Sequence, residues 1–473
     1  MQRKHLVVVL LATFCFMLIS TGLYLGREHL TRLSDLYLPF HEASTTPASD
    51  PVLEPELIAT TSTSLAPAET EVATSTISAT PTSDAAESPA ASPSSSLANG
   101  SILSADRISP YVSAILDPTY PTSSQLPRLE CPALDTSRYE VLQKEPHGQR
   151  GETDGHIDYF FALDLRDCIE LLPRLLGSIV EVARFLGPHR CALSIVEGNS
   201  PDGTGDVLNA LHPFLEDIGL AYFYNNSKID PSKGPRIRKL AQLRNLALMP
   251  LYKEQVPVTE QTTVLFINDV AACPKDLLEL ALQRRNLGAD MTCAMDWTYV
   301  GVDPTFYDVW VARTIEGTPF FEVGEDGNWN SAWNLFWNAP ETRARYNSQL
   351  PFQVFACWNG ATAFTAAPLL HGLRFRDVRG DKKECYQGEP QLFCKDMWWR
   401  GYRKIAVVPT INLEYSNEKG KDIKDQKGYV SDLVKNQDED SAHIDWIYNA
   451  PDQVRCMPDW GHQSWRPWNE TLR

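Results

Sequence analysis

The sequence predicts an α/β fold in which a mostly parallel sheet carries helices on both faces. The prediction rests on apolar strand candidates, amphipathic helix candidates, and their alternation from residue 157 to residue 287. The strand candidates span 157–165, 191–196, 220–224 and 262–267, and the helix candidates span 168–186, a segment ending near 218, 236–252 and 274–287. Helices between successive strands act as crossovers, which is how parallel neighbours are connected.

The chain is less regular beyond residue 290. Strand candidates lie at 290–295 and 404–408, and a helix candidate lies at 389–399. The polar stretch 416–441 predicts a mobile loop. A hydrophobic content of 43% and 12 tryptophans predict a substantial core within a domain that spans residues 131–473.

Residues 6–25 are an uncharged apolar run that follows the basic residues Arg3 and Lys4. A helix of about 20 apolar residues spans a hydrocarbon core of about 30 Å. The alternative is a cleaved signal peptide, whose apolar core usually covers only about 7–15 residues and ends at a small-residue cleavage site. Basic residues before the run predict that residues 1–5 stay cytosolic and that the rest lies in the lumen. We therefore expect a type II single-pass signal-anchor.

Residues 26–130 predict a flexible luminal stem. They are rich in Ser, Thr and Pro, and residues 41–130 hold 11 acidic residues against two arginines. Such a segment buries too little apolar surface to offset its ordering entropy. Ser/Thr/Pro tracts are typical of O-glycosylated stalks, and a plain disordered linker has the same shape. N-glycosylation sequons begin at Asn99, Asn225 and Asn469.

Charge and motifs exclude several classes of function. The net charge of −17 comes without a basic stripe, which argues against a nucleic-acid partner. There is no HExxH, no G-x-S-x-G and no kinase signature. Of the ten cysteines, nine lie in the predicted globular domain without CxxC spacing, so a structural zinc site is not expected. In a lumen some would form disulfides, with Cys385 and Cys394 as one candidate pair.

The stretch TTVLFINDV at 262–270 is the most informative strand. It is apolar or β-branched up to Ile267 and then ends in Asn268 and Asp269. Ligands of open α/β sheets bind outside the carboxyl ends of strands, where an acid can hold a divalent metal against a phosphate. We therefore predict Asp269 as a metal ligand and Asn268 as a donor-binding residue. The alternative is an ordinary loop acid or helix cap.

Two further segments suit a nucleotide. The turn EGNSPDGTGD at 197–206 offers Glu197, Ser200 and Asp202 among three glycines, and its acids suit ribose hydroxyls or a base edge. It lacks GK[ST], so it is not a Walker A loop, and a plain surface turn is the alternative. Arg236 and Arg244 share a helical face that can meet a diphosphate, although a solvated face has the same pattern.

Candidate catalytic carboxylates follow in the second half of the domain. Asp296 ends the strand candidate that begins at residue 290, and Glu389 begins the next helix candidate. Glu389 can act on an acceptor hydroxyl or on developing positive charge, and Asp296 can line the same cleft. Both have a structural alternative as caps. The tryptophans suit stacking on sugar faces or packing in the core, namely Trp329, Trp333, Trp337 and Trp358.

Five separated blocks resemble the fungal capsule-associated, or cryptococcal, α-1,3-mannosyltransferase family. They read SIVEGNSPDGTGDVL at 194–208, RIRKLAQLRNLALMPL at 236–251, VLFINDVAACPKDLLELAL at 264–282, DMTCAMDW at 290–297 and ECYQGEPQLFCKDMWWRGYRKIAVVPTI at 384–411. The resemblance covers about residues 155–415 and is specific, because the blocks occur in one order. Short tail, anchor, stem and globular domain are also the layout of Golgi glycosyltransferases.

The resemblance implies a GT-A-like fold, GDP-mannose as donor, an α-mannoside glycan as acceptor and an α-1,3 linkage. It also implies a divalent metal, with Mn2+ first and Mg2+ or Co2+ as alternatives. Asp269 would then hold the metal that neutralises the leaving diphosphate. The implied setting is the Golgi membrane and capsule or cell-surface glycan synthesis. An α-linked donor that gives an α-linked product means that the configuration at the sugar carbon is retained. Such a reaction needs no dedicated general base, which weakens the catalytic role predicted for Glu389.

Two other functions stay open at this point. A transferase of the same kind can use another donor, such as UDP-xylose or UDP-glucuronate. A non-catalytic glycan-binding or assembly subunit can also keep this fold. The segment Asn268-Asp269-Val270 has one acid, whereas the usual metal-binding motif, DxD, has two. The missing acid keeps the non-catalytic subunit open as an alternative.

Overall fold

The computed structural model describes residues 97–121, 123, 126–144, 155–435, 437 and 440–472. The predicted anchor at 6–25 and most of the predicted stem lie outside these residues. Within the described part of the chain, no helix is both long and apolar enough to cross a membrane. The anchor and the type II topology therefore stay predictions.

The strands and helices alternate through the first half of the domain as predicted. The strands are β1 (Ile157–Leu165), β2 (Cys191–Glu197), β3 (Ala221–Asn226), β4 (Val258–Ile267), β5 (Met291–Val300), β6 (Asp303–Phe306), β7 (Arg313–Thr314), β8 (Phe352–Ala356), β9 (Ala361–Thr365), β10 (Ile405–Leu413), β11 (Gln453–Cys456) and β12 (Ser464–Pro467). The helices are α1 (Ala105–Leu116), α2 (Leu172–Leu186), α3 (Thr204–Ala210), α4 (His212–Asp217), α5 (Arg236–Ala247), α6 (Met249–Tyr252), α7 (Pro274–Asn286), α8 (Pro340–Asn347), α9 (Ala367–Leu370), α10 (Glu389–Trp399), α11 (Asn417–Lys427) and α12 (Val430–Leu433).

One large sheet has the strand order β3-β2-β1-β4-β9-β5-β10-β8-β7, with β6 paired to β5. Strands β1 to β4 are parallel where they pair, as are β5 and β10. Strand β9 lies antiparallel between β4 and β5, and β8 is antiparallel to β10. The predicted mostly parallel sheet with flanking helices is confirmed, and the antiparallel strands are a feature that the alternating pattern did not predict.

The sheet is buried on both faces. In β1, Phe161 and Leu163 point into one apolar cluster with α2 and α7, while Phe160 and Ala162 point into another with α5 and α10. A strand that is covered on both sides reads as a continuous apolar run, which is why β1, β2 and β4 were recognisable in the sequence. The two clusters leave the carboxyl ends of these strands as the place where polar side chains meet.

The globular domain begins before the predicted boundary at residue 131. Helix α1 lies within the predicted stem, and its side chains Ile108 and Val112 are buried against α2. The carboxylate of Asp206 accepts hydrogen bonds from the backbone N–H groups of Ile102 and Leu103, both at 2.7 Å. The stem prediction is wrong for this stretch, because its apolar residues recur at helical spacing inside a region of low-complexity composition.

The predicted mobile loop at 416–441 is also wrong in its first half, where helix α11 forms. Ser416 caps this helix by accepting a hydrogen bond from the backbone N–H of Lys419 at 3.2 Å. The ammonium group of Lys424 is buried against the carboxylate of Asp276 at 2.6 Å. A polar helix is stable here because its one buried charge is neutralised by α7.

Three disulfides join distant parts of the domain, namely Cys131–Cys273, Cys293–Cys357 and Cys385–Cys456. The suggested Cys385–Cys394 pair is wrong. Helix α10 carries Cys394 into the core, where its thiol contacts the carbonyl oxygen of Cys357 at 3.4 Å. Cys168, Cys191 and Cys394 are free and buried.

Candidate active site

The ends of β1 and β4 place two carboxylates at one edge of the sheet. Leu163 pairs with Ile267 in register, so Asp164 lies level with Asn268 and next to Asp269. All three polar residues are half-exposed, whereas the strand residues before them are buried. The predicted strand-end site therefore contains a second acid, Asp164, which the sequence analysis did not select.

The environment of the two carboxylates makes them unusually weak acids. Burial raises the pKa of Asp269 to about 6. Burial also raises the pKa of Asp164 to about 7, and the negative charges of Glu389 and Asp269 act in the same direction. The positive charge of Arg244 opposes both shifts. Groups of this kind attract a cation and are typical of functional sites.

The floor of this region is a buried ion pair. The Nε of Arg244 donates to Oε1 of Glu389 at 2.8 Å, and both side chains are largely inaccessible to solvent. The guanidinium also stacks over the Trp358 ring, 4.6 Å from its centroid. Glu389, which we predicted as catalytic, is 2% exposed and neutralises Arg244. Its position favours an electrostatic role over direct contact with an acceptor.

The turn formed by Trp358, Asn359 and Gly360 links the separate walls of the site. The indole N–H of Trp358 donates to Oδ1 of Asn268 at 3.1 Å. The backbone N–H of Asn268 donates to the carbonyl oxygen of Gly360 at 2.9 Å. Asn359 and Gly360 have φ angles of 55° and 80°, a left-handed conformation that makes this tight connection. The turn thus fixes the end of β4.

A second pair of acids lies beside this turn. Asp296 in β5 is fully buried, and the hydroxyl of Tyr415 donates to its Oδ2 at 2.6 Å. Asp308 follows β6, is half-exposed, and accepts a hydrogen bond from the backbone N–H of Asn359 at 2.9 Å. The predicted catalytic Asp296 is therefore shielded from solvent, and Asp308 lies next to it as a partly buried carboxylate.

The predicted donor-binding loop after β2 is held by its own side chains. Oε1 of Glu197 accepts the backbone N–H of Ser200 at 2.5 Å, and the Ser200 hydroxyl accepts the N–H of Asp167. Asp202 accepts the backbone N–H groups of Thr204 and Ile169. These polar groups give the loop a fixed shape, which matches the structural alternative more closely than an open set of ligand-binding acids.

The remaining predicted residues are spread over the domain. Arg236 is exposed at the start of α5. Trp358 is in the core, Trp333 is 82% exposed, and Trp329 packs edge-on against Trp460. Among the sequon asparagines, Asn99 and Asn225 are exposed and Asn469 is half-buried.

The carboxylates at the ends of β1 and β4 suit a divalent metal that is shared with a substrate. Among the described residues, no group of three or more His, Cys, Asp or Glu side chains is arranged to hold a metal alone. Asp164 and Asp269 have no ion-pair partner in that part of the chain, and oxygen donors suit Mg2+ and Mn2+. Two protein carboxylates fit an ion whose other ligands are phosphate oxygens and water.

Comparison with known proteins decides the family. Residues 158–396, which include Asp164, Asp269, Asp308 and Glu389, match the family described as Cryptococcal mannosyltransferase 1. The chain belongs to this family. It is also 35% identical over 339 residues to the alpha-1,3-mannosyltransferase CMT1 of Cryptococcus neoformans var. neoformans serotype D, covering 68% of this chain and 70% of that protein. The family therefore supports glycosyl transfer as the reaction class.

Parts of several solved structures are also similar to this chain. The chain is similar to S. aureus TarS residues 1–349, with 14% identity, a TM-score of 0.32, and coverage of 60% of this chain and 68% of that fragment. It is also similar to the mannosyltransferase PcManGT from Pyrobaculum calidifontis, solved with GDP-Man and Mn2+. That match has 14% identity, a TM-score of 0.33, and coverage of 59% and 62%. The architecture of this chain is established by its own strand order.

Two residues of this site escaped the sequence analysis for different reasons. Asp164 interrupts an apolar strand near its end, and this signal was present in the text IDYFFALDL. Asp308 lies in an irregular segment after β6 and has no local signature. Only the pairing of β6 with β5 brings it beside Asp296.

Proposed function

We propose that this chain transfers mannose from GDP-mannose to an α-mannoside glycan in α-1,3 linkage. The observation that carries the proposal is the 35% identity to an alpha-1,3-mannosyltransferase over 68% of the chain. The weak carboxylic acids at the ends of β1 and β4 support a catalytic protein, because an assembly subunit has no need to keep such charges half-buried. The GT-A-like assignment belongs to the same proposal.

The metal proposal extends the predicted role of Asp269. Asp269 and Asp164 would hold Mn2+, with Mg2+ or Co2+ as alternatives, at the shared edge of β1 and β4. When bound, the metal neutralises charge on the leaving diphosphate. Asn268 is held by Trp358 and Gly360, so the strand end that carries Asp269 is rigid before any ligand arrives.

Other parts of the chain would orient the donor. The fixed loop that contains Glu197, Ser200 and Asp202 ends a neighbouring strand and offers a preformed wall for the nucleoside. The exposed guanidinium of Arg236 is available to a phosphate. Arg244 acts from below through its charge, since Glu389 and Trp358 hold its guanidinium in place.

The cellular setting is proposed from the sequence. The apolar run at 6–25 would anchor the chain in the Golgi membrane with the domain in the lumen. The three disulfides are compatible with an oxidising compartment. Capsule or cell-surface glycan synthesis is the corresponding role.

The test uses the full-length chain in detergent with radiolabelled GDP-mannose, α-mannobiose and Mn2+. We expect a mannosylated trisaccharide that is sensitive to an α-1,3-specific mannosidase and a rate that chelation by EDTA abolishes. Asp269→Asn is expected to lower turnover by about 10²–10³-fold and to weaken Mn2+ binding measured by calorimetry. Asp217→Asn, an exposed change at the end of α4, is the matched control.

Each contrary outcome has a distinct meaning. Transfer from UDP-xylose or UDP-glucuronate in place of GDP-mannose would contradict the donor assignment but would still show a glycosyltransferase. Glycan binding without transfer from any donor or metal would favour an assembly subunit. Full metal-dependent activity in Asp269→Asn would remove the metal assignment while leaving the activity intact.

A further inference from the structure

Two aromatic side chains, Trp310 and Tyr386, lie beside the buried ion pair of the candidate site. Their ring centroids are 6.4 Å apart, and the ring planes are tilted by 49°. Both residues are partly exposed. A Cβ added to Gly388 would lie 3.4 Å from Cζ3 of Trp310, so the indole lies against the residue that precedes Glu389. The aromatic pair therefore borders the site directly.

Three separate segments of the chain hold this aromatic pair in place. The indole N–H of Trp310 donates to the carbonyl oxygen of Met457 at 2.5 Å. The residues immediately before Tyr386 and Met457 are joined by the disulfide Cys385–Cys456. The two rings are thus fixed before a ligand arrives, and a preorganised surface loses little conformational freedom on binding.

The aromatic pair leaves one polar group free, the hydroxyl of Tyr386. Among the described residues, none forms a hydrogen bond with this hydroxyl. Burial raises the pKa of Tyr386, and the negative charges of Asp377 and Glu389 act in the same direction, against the positive charge of Arg236. The hydroxyl therefore keeps its proton at neutral pH and is available to donate a hydrogen bond.

A partly exposed aromatic surface with one free hydroxyl suits a sugar ring. A pyranose has an apolar face of C–H groups and a rim of hydroxyls, so it can stack on an indole while one hydroxyl bonds to a phenol. The structural alternative is ordinary packing. Packing accounts for Trp358, which is 1% exposed in the core, but not for a partly exposed pair with a free polar group.

Strand order places this aromatic pair on the side of the site away from the proposed nucleoside wall. The loop proposed for the nucleoside follows β2, which lies with β1 on one side of β4. Trp310 follows β6, which pairs with β5 on the other side of β4. A sugar held at Trp310 would therefore approach the strand end at Asp269 from the side opposite to the nucleotide.

We propose that Trp310 and Tyr386 form the binding subsite for the α-mannoside acceptor, with a sugar ring stacked on the indole and a sugar hydroxyl bonded to the phenol. The inference rests on the proposed function and names the residues that recognise its acceptor. It needs no base from the protein, in agreement with a retaining transfer. The aromatic pair contributes by orienting the attacking hydroxyl towards the donor sugar.

The test compares variants of the full-length chain with wild type, using GDP-mannose, α-mannobiose and Mn2+. We expect Trp310→Ala to raise KM for α-mannobiose by about 10–100-fold, because a stacked ring is lost. Trp310→Phe keeps a ring and should raise this KM by less than about fivefold. Tyr386→Phe removes only the hydroxyl and should raise it by about 3–10-fold.

Two controls separate acceptor binding from donor binding and from folding. The dissociation constant of GDP-mannose, measured by calorimetry, should stay within about twofold of wild type in all three variants, because the aromatic pair does not contact the donor. Trp399→Ala removes a tryptophan that is 47% exposed at the far end of α10 and should leave KM unchanged. Thermal melting of each variant shows whether the fold is intact.

Three results would overturn the proposal. A KM for α-mannobiose within about twofold of wild type in Trp310→Ala would show that the indole does not hold the acceptor. An equal loss of GDP-mannose affinity would assign the aromatic pair to the donor. The same loss of melting temperature and the same KM in Trp310→Ala, Trp310→Phe and Trp399→Ala would show a role in folding alone.

Direct acceptor binding keeps this test separate from that of the proposed function. If wild type transfers no mannose, the proposed function fails, and saturation-transfer NMR with α-mannobiose still decides on the subsite. A saturation-transfer signal in wild type that is lost in Trp310→Ala and kept in Trp399→Ala would support the subsite. An equal signal in wild type and Trp310→Ala, or no signal in wild type, would refute it.

Discussion

At the scale of single residues, the site combines half-exposed weak acids with a buried ion pair. Asp164 and Asp269 are partly exposed and have no ion-pair partner among the described residues, whereas the charges of Arg244 and Glu389 neutralise each other. These two kinds of residue are expected to respond differently to pH and to substitution, which gives two predictions.

Asp164 makes the stability of the metal-free protein depend on pH. Its pKa of about 7 in the fold lies above the ordinary value of 3.8, so its contribution to stability is complete below pH 3.8 and is lost as pH rises towards 7. We therefore expect Asp164→Asn to be more stable than wild type at pH 8 in EDTA. The unfolding free energy of the variant should also change less between pH 5 and pH 8 than that of wild type. Urea denaturation at both pH values measures this.

Asp303→Asn is the control for this prediction, because Asp303 is exposed at the start of β6. Equal pH dependence in wild type and Asp164→Asn would show that the carboxyl of Asp164 is not held in its neutral form. Added Mn2+ should stabilise wild type at pH 8 more than Asp164→Asn.

Removing one member of the buried pair should destabilise the fold. Glu389→Gln leaves the guanidinium of Arg244 without its counter-charge, and losing one partner of a buried pair costs about 3–5 kcal/mol. The double variant Arg244→Met with Glu389→Leu removes both charges and should lose less stability than the single variant. Denaturant titration compares the three proteins, and a single variant as stable as wild type would contradict the structural importance of the pair.

At the scale of elements, the turn at 358–360 holds the site together because three separate segments of the chain meet there. It joins the end of β4, the segment after β6 and the start of β9 through the backbone of Asn359 and Gly360. A Cβ on Gly360 would lie 3.2 Å from both Cβ of Asp296 and Cγ1 of Val270. This glycine is required for its conformation and for the space that it leaves.

Gly360→Ala is expected to lower both stability and activity. The matched control is Gly219→Ala, whose φ of 84° resembles the 80° of Gly360 but whose added Cβ would meet nothing within 4 Å. Both variants should lose about 1–2 kcal/mol for the left-handed conformation. Only Gly360→Ala should lose more than this and also show reduced kcat, as measured by denaturation and transfer assays. Equal effects would show that the site tolerates movement of this turn.

At the scale of the whole molecule, the N-terminal boundary of the domain decides which fragment can fold. Helix α1 buries Ile108, Val112 and Ile115 against the core, and each such side chain contributes about 1.5–3 kcal/mol. Their sum is a large share of the 5–15 kcal/mol that stabilises a typical domain. A domain that starts at residue 131 lacks this cover over α2.

We therefore predict that residues 97–473 give a monodisperse, cooperatively melting protein and that residues 131–473 aggregate. Size-exclusion chromatography and thermal melting test both fragments. In the full-length chain, Ile108→Asp should lower the melting temperature, whereas the adjacent exposed change Arg107→Asp should leave it unchanged. A stable, active fragment 131–473 would show that α1 is dispensable.

The half of the fold in which strands and helices alternate could be predicted because its sequence patterns are local. β1 and β2 begin where the sequence analysis placed them, and α10 has the predicted bounds of 389–399. The second half was less readable, since β9 enters the sheet between β4 and β5 from more than 60 residues further along the chain. Pairing of this kind leaves no periodic trace in either strand.

The sequence by itself determined the α/β class, the strand end at Asp269 and, through five blocks in one order, the family. Periodicity, turn residues and a polar residue at the end of an apolar run are properties of short segments, so they can be read without a structure. Tertiary structure alone decided the disulfide partners, the extent of the domain before residue 131, and which acids share a site. Asp164 lies at the end of β1, whereas Asp269 and Asp308 follow β4 and β6, and only strand order and register bring these separate segments together.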